Sequence, residues 1–312
     1  MSSATPIRRV HVLLIGTAAG GGFPQWNCWC RCCAVARQDP QAAWPRRQSS
    51  VAVSRDGHRW FLLNASPDIR DQLGWLPSNG APATVRHVPI EGVLLTDAEV
   101  DHSLGIVLLR EAAYLPVYAT AVIQAVLDVD SRFLAVARAF ADMPVTELPL
   151  DAPTGLRYRD GTPSDLQVEA FIVPAGPPRF APAAGEGHTV GLLLREGDGG
   201  PVCAFVPGCG DLTPPVRARL AEADILLFDG TFWQDDELVA VGVGSRTARE
   251  LDHLPIGGPG GSLEQLASLP CRHRIYTHIN NTNPILLEES PERAAVVRAG
   301  LTVGYDGLHL TV

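Results

Sequence analysis

Three carboxylates and an imidazole crowd into one short run. Asp97, Glu99, Asp101 and His102 all fall within TDAEVDH. Acids at that density raise one another's pKa unless a cation sits among them, and a metal ion is the simplest such cation. Sulfur makes a second cluster. Cys28, Cys30 and Cys33 form Cys-x-Cys-x-x-Cys inside FPQWNCWCRCCAVAR, a thiolate claw suited to tetrahedral zinc. The chain has seven cysteines, an odd number, and neighbours this close rarely reach disulfide geometry with each other. In a reducing compartment they read as metal ligands. Cys32, Cys271, His273 and His253 are the candidates for a fourth ligand, and spacing does not choose among them. Zinc held there would pin the loop spanning about residues 23–37, because a structural zinc contributes folding energy. Plainer readings compete: a solvated acidic turn that caps a helix, and free buried cysteines.

The elements that must position the acidic cluster are visible on either side of it. Val93–Leu95 is an apolar run that suits a buried strand, and Leu104–Leu109 can begin a helix. Chemistry in α/β folds gathers at such strand ends.

This segment resembles the signature of the metallo-β-lactamase superfamily, in which a strand ends in Thr-His-x-His-x-Asp-His and runs into a helix. Thr96, Asp101 and His102 keep that pattern, whereas Asp97 and Glu99 replace its two leading histidines. In dinuclear members the missing histidines hold one zinc and the Asp-His pair holds the second metal. The resemblance therefore implies one metal position and weakens the case for dizinc hydrolysis. It also implies an α/β fold, the αββα four-layer sandwich, as a single domain over residues 1–312 with the metal at one edge between two sheets. Asp211, in Pro207-Gly208-Cys209-Gly210-Asp211, matches the bridging aspartate, with a turn or helix N-cap before Pro214 as the alternative. His278, ending strand Arg274–Thr277, matches the last metal ligand. His188 matches the third metal-binding histidine, but its partners there are gone, and a solvated or substrate-facing histidine is the stronger reading.

The rest of the chain reads as strands and short helices. Val10–Ile15 is a first strand, followed by a glycine loop without the lysine of a phosphate loop or the acid of a dinucleotide fold. Segments 49–54 and 59–64 flank Asp56-Gly57 as a hairpin. A polar loop is expected over 77–89, helical patterns over Ala121–Leu127 and Arg132–Phe140, and strands over Leu166–Pro174, Val190–Arg195, Val202–Val206 and Ile225–Phe228. The glycine-rich stretch at about 240–262, which contains His253, reads as a lid or binding loop. Asn280, Asn281 and Asn283 beside His278 offer uncharged donors and acceptors to a polar substrate. Leu301–Val312 is expected to close the chain as a strand hairpin around Asp306-Gly307.

Composition narrows the function classes. Hydrophobic residues make up 46% and charged residues 19% of 312 positions, enough for a sizeable core. A net charge of -9 argues against nucleic acid or an anionic membrane as partner. No apolar run approaches the roughly 20 residues of a membrane span, and Val10–Ile15 is too short for a signal sequence. A cytoplasmic location is expected.

Longer strings narrow it further. GTAAGGGFPQWNCWC, Gln48–Ser50, LLNASPDIR, TDAEVDH, PGCGDL, DGTFWQDDEL, HLPIGG and THINNTNP, spread over essentially the whole chain, resemble the coenzyme PQQ synthesis protein B family. The resemblance implies a part in bacterial pyrroloquinoline quinone (PQQ) biosynthesis, as an Fe(II)-dependent oxygenase that hydroxylates the tyrosine of a Glu-Tyr dipeptide. Asp101, His102 and His278 would bind the catalytic metal, with Asp211 as a fourth or water-bridged ligand. Asp97 and Glu99 would stand behind the ligands or hold a substrate amine, while His253 and Asn281 would contact the substrate. A soluble carrier of PQQ or its precursor and a metal-dependent hydrolase are the alternatives. A homo-oligomer is compatible with either.

Overall fold

The computed structural model describes residues 9–77, 85–197, 199–200 and 202–312. Most of the polar loop expected over 77–89 lies outside them. Among the described residues the strands are β1 (His11–Gly16), β2 (Ser50–Ser54), β3 (Trp60–Leu63), β4 (Ile90–Leu94), β5 (Val117–Ala119), β6 (Val145–Glu147) and β7 (Pro153–Arg157). They continue with β8 (Pro163–Ile172), β9 (Val190–Glu196), β10 (Val202–Val206), β11 (Ile225–Asp229), β12 (His273–Thr277), β13 (Thr302–Val303) and β14 (His309–Thr311). One sheet runs β14-β1-β2-β3-β4-β5-β6 and the other β13-β12-β11-β10-β9-β8-β7.

Side-chain alternation explains the layering. In β10, Cys203 and Phe205 join the core between the sheets, while Val202, Ala204 and Val206 join a second cluster on the outer face. In β11, Ile225 and Leu227 face inward, and Leu226 and Phe228 face outward. Strands apolar on both faces must be covered on both. The outer cover includes helices Pro214–Leu220, through Val216 and Leu220, and Pro291–Arg298, through Val296. The second helix starts where Ser290 Oγ accepts the Arg293 N–H, with Pro291 in its first turn. The result is the expected helix–sheet–sheet–helix sandwich.

Strands β3, β4, β5 and β6 run parallel, as do β10, β11, β12 and β13. Parallel strands send their C-terminal loops to one edge, so the segments after β4, β10, β11 and β12 meet. The loop after β1 joins them: Ile279 N–H donates to Thr17 O at 2.8 Å, and Ala19 N–H to Ile279 O at 2.9 Å.

Three local expectations change. The C-terminal strands are not a hairpin, because β13 pairs with β12 in one sheet and β14 with β1 in the other. Asp306-Gly307 turns the chain between sheets. The helix expected over Leu104–Leu109 is two short pieces, Val100–Ser103 and Gly105–Leu108. Gly105 explains the break: its N–H donates to Ala65 O at 2.8 Å, and a Cβ there would lie 2.5 Å from the Ala65 and Ser66 carbonyl oxygens. Ala65 N–H in turn donates to His102 O at 2.7 Å, which fixes the turn that carries His102. Short strands β6 and β7 have weak patterns and are not evident in the sequence.

Candidate metal centre

A cavity of about 570 Å³ opens at the shared edge, the size range of small-ligand sites. Asp101, His102, Thr231, His253 and His278 line it, with Gly20 from the first loop. Each imidazole has one nitrogen already engaged. His102 Nδ1 lies 2.8 Å from Asp97 Oδ2, His253 Nδ1 lies 2.7 Å from Asp229 Oδ2, and His278 Nδ1 lies 2.8 Å from Thr231 Oγ1. Such partners fix the ring and its tautomer, leaving Nε2 to bind a metal. His102 Nε2 is buried with no hydrogen-bond partner. A buried, unpaired nitrogen is costly unless something binds it.

The ligand atoms converge. Asp101 Oδ2 stands 3.3 Å from His278 Nε2 and 3.9 Å from His102 Nε2. One ligand atom from each of Asp101, His102 and His278 lies within 4.8 Å of the others, and Asp229, His253 and His278 form a similar group. The His102 and His278 rings meet edge to face at 4.9 Å, and His253 stacks on His278 at 5.5 Å. His278 holds a left-handed backbone, φ 54°, a strained choice for a non-glycine residue that clusters at functional sites.

The electrostatics suit a cation. Burial alone would lower the His102 imidazolium, but Asp97, Asp101 and Glu99 lift it to about 9. Burial works to raise the Asp101 carboxyl; His102 and His278 overcome it and hold the group below the usual carboxylate range. Burial lowers the His278 pKa. Half-buried Glu99 is raised to about 7 by burial and by Asp97 and Asp101. The donor set of imidazoles and carboxylate, with one orphaned nitrogen, fits a divalent metal.

Not every expected residue joins this group. Asp97, Glu99, Asp101, His102, His253 and His278 all line the cavity. Asp97 holds the far nitrogen of His102. Asp211 stays outside: it is exposed, five positions beyond the end of β10. The acid beside His253 and His278 is Asp229, the buried last residue of β11. Its chain position, ending an apolar strand, is the signal that could have identified it. Thr231 carries no such signal. His188 is half-buried with Nδ1 3.0 Å from Thr189 Oγ1, and it belongs to neither ligand group. The glycine-rich stretch walls the cavity through residues between Arg246 and His253.

Asn281 does not face the cavity; it serves the cysteines. Cys28, Cys30 and Cys33 converge, their sulfurs within 4.8 Å of one another. Asn281 Nδ2 lies 3.3 Å from Cys33 Sγ. The neighbouring Cys30 and the Asn281 amide hold the Cys33 thiol low, to about 5, against the effect of burial. None of the four fourth-ligand candidates joins them. Cys32 Sγ donates to the Thr282 and Asn283 carbonyls, Cys271 Sγ to Leu220 O, His253 lines the cavity, and His273 begins β12 at its far end.

Among the described residues, no helix is long and apolar enough to cross a membrane. Residues 59–279 match the family described as Beta-lactamase superfamily domain. The chain is 42% identical to the coenzyme PQQ synthesis protein B of Gluconacetobacter diazotrophicus, over 97% of this chain and 99% of the relative. Identity to the protein of that name from Methylobacterium radiotolerans is 41%, over 97% of this chain and 100% of the relative. Among solved structures, the crystal structure of zinc-bound PqqB from Methylobacterium extorquens is similar with a TM-score of 0.86 and 40% identity, covering 96% of this chain and 99% of that one. A diphosphatase of the PhnP family, at 18% identity over 97% of each chain and a TM-score of 0.66, shares the fold.

Proposed function

The chain belongs to the coenzyme PQQ synthesis protein B family of the β-lactamase superfamily, and we propose that within PQQ biosynthesis it is an iron-dependent oxygenase that hydroxylates the tyrosine ring of a Glu-Tyr dipeptide. The observation that carries this reading is the bond between Asp97 and His102 Nδ1. A position that holds a zinc-binding histidine in dinuclear members of the superfamily here orients a ligand. The reading takes the group of Asp101, His102 and His278 as the metal position, beside the cavity. Two imidazoles and a carboxylate are the facial set of non-heme iron oxygenases.

His102 and His278, through Nε2, and Asp101, through Oδ2, would hold the ion. Bound iron(II) supplies the activation of dioxygen. The reaction inserts one oxygen atom into a ring C–H bond and reduces the other to water, so a two-electron reductant and two protons are co-reactants. Asp97 and Thr231 keep the two imidazoles in the tautomers that ligation needs. Asp229 fixes His253 through Nδ1, which leaves Nε2 free to take a hydrogen bond from the phenol. Glu99, on the cavity wall beside Asp101, can accept the ring proton. Phe180 and Phe232 on the wall offer apolar contact to an aromatic ring. A zinc in the cysteine claw and a cytoplasmic location belong to the same reading.

Oxygen uptake tests it. Iron-loaded protein with Glu-Tyr and a reductant should consume oxygen in step with dipeptide lost. Zinc-loaded protein should consume none. Hydrolysis of a phosphodiester or ester without oxygen uptake would instead mark a metal-dependent hydrolase.

A further inference from the structure

Two arginines line the cavity without a part in holding the metal: Arg179, on the loop after β8, and Arg246, on the glycine-rich stretch. Neither has a salt-bridge partner among the described residues. Arg55, Arg59, Arg138 and Arg219 all have carboxylate partners. Arg246 is half-buried. Its Nη1 donates to Glu250 O at 3.4 Å, while its Nη2 is buried with no acceptor. A guanidinium donor left without an acceptor in the free protein, on a residue that lines the cavity, offers a place to an anion that arrives from outside. Arg179 lies at the exposed rim, close enough to act electrostatically on Glu99.

We propose that Arg246 and Arg179 form a two-point carboxylate clamp that selects a short peptide carrying two carboxylates. The inference rests on the reading of the cavity as the Glu-Tyr site. A tyrosine ring directed at Asp101, His102 and His278 leaves its α-carboxylate to Arg246, the more buried of the two arginines. The glutamate side chain is farther from the ring and reaches the rim, where Arg179 stands. Planar guanidinium groups grip carboxylates through paired hydrogen bonds, which a lysine cannot reproduce. Asp252 lines the same cavity and offers a carboxylate to the peptide's ammonium group. The clamp requires a free C-terminus beside the tyrosine, so a tyrosine within a longer chain is rejected.

The test uses zinc-loaded full-length protein, which does not turn over, and calorimetric binding of Glu-Tyr, its C-terminal amide and Gln-Tyr. Each neutralised analogue should bind the wild type about tenfold or more weakly, the loss expected for one charge-assisted contact. Arg246→Gln should weaken Glu-Tyr similarly and no longer distinguish it from the amide. Arg179→Gln should no longer distinguish Glu-Tyr from Gln-Tyr. Thermal unfolding of both variants checks that they remain folded. Variants that discriminate as the wild type does, or a wild type that binds none of the three, would overturn the clamp. Hydroxylation by iron-loaded wild type is scored separately: binding as expected without hydroxylation retains the clamp and rejects the oxygenase, while hydroxylation without discrimination rejects the clamp alone.

Discussion

Asn281 Nδ2 lies 3.3 Å from Cys33 Sγ, although 248 positions separate the two residues. The contact joins the cysteine claw to the loop that leaves His278 in its left-handed conformation. Cys30 and Cys32 thiols donate to backbone carbonyls of that same loop, Asn281 and Thr282. The claw is thus a brace for a residue of the metal centre. Cys33→Ser should remove one zinc per chain, measured by elemental analysis, and lower Tm by on the order of 5 °C. It should also weaken metal binding at the cavity, because His278 loses the support behind it. A Cys33→Ser protein with full zinc content and unchanged Tm would show that the claw holds no metal.

Proton and metal compete for His102. Without metal the imidazole is protonated up to about pH 9, held so by Asp97, Asp101 and Glu99 against the opposing effect of burial. Ligation needs the neutral ring, so loading near pH 7 must expel a proton. Apparent metal affinity should rise about tenfold per pH unit from 7 towards 9 and level off above. Calorimetry in buffers of different ionisation enthalpy reads the proton directly. Asp97→Asn loses the negative charge behind His102 and should cost roughly 10–100-fold in metal affinity or activity, while lowering the pH at which affinity levels off.

Asp229 and Asp211 should separate cleanly by mutation. Asp229 is fully buried and fixes His253. Asp229→Asn should reduce activity, because the His253 imidazole loses the carboxylate that fixes its tautomer, with some loss of stability because that carboxylate also accepts the Cys209 and Thr231 N–H groups. Asp211→Asn, at an exposed position, should keep its metal content, with activity and Tm close to wild type. Metal analysis and steady-state rates on the two purified variants decide this. An inactive, metal-free Asp211→Asn protein would contradict the site as described.

The pattern of legibility follows from what short segments encode. The strand end carrying Asp97, Glu99, Asp101 and His102 is local, and so is His278 at the end of β12; both could be read from apolar runs that stop at polar residues. The pairing of His102 with Asp97 depends on a turn of five residues and was half visible as a dense acidic cluster. Asp229 and Thr231 meet histidines 24 and 47 positions away, a relation set by the sheet order. Gly-Asp after β10 points to Asp211 as the bridging acid, yet Asp211 is exposed and does not line the cavity. Polar neighbours suggest that Asn281 faces a substrate, and only the docking of the cysteine loop against it turns it towards sulfur. The final strands carry a hairpin's local signature, since a turn looks the same whether its arms share a sheet or separate.

The most direct measurement supplies iron-loaded protein, a reductant and Glu-Tyr with isotopically heavy dioxygen, and reads the product by mass spectrometry. The account predicts a dipeptide with one heavy oxygen atom on the tyrosine ring, and none when His278→Ala protein is used. A product with no label from dioxygen, or equal product from His278→Ala, would contradict it.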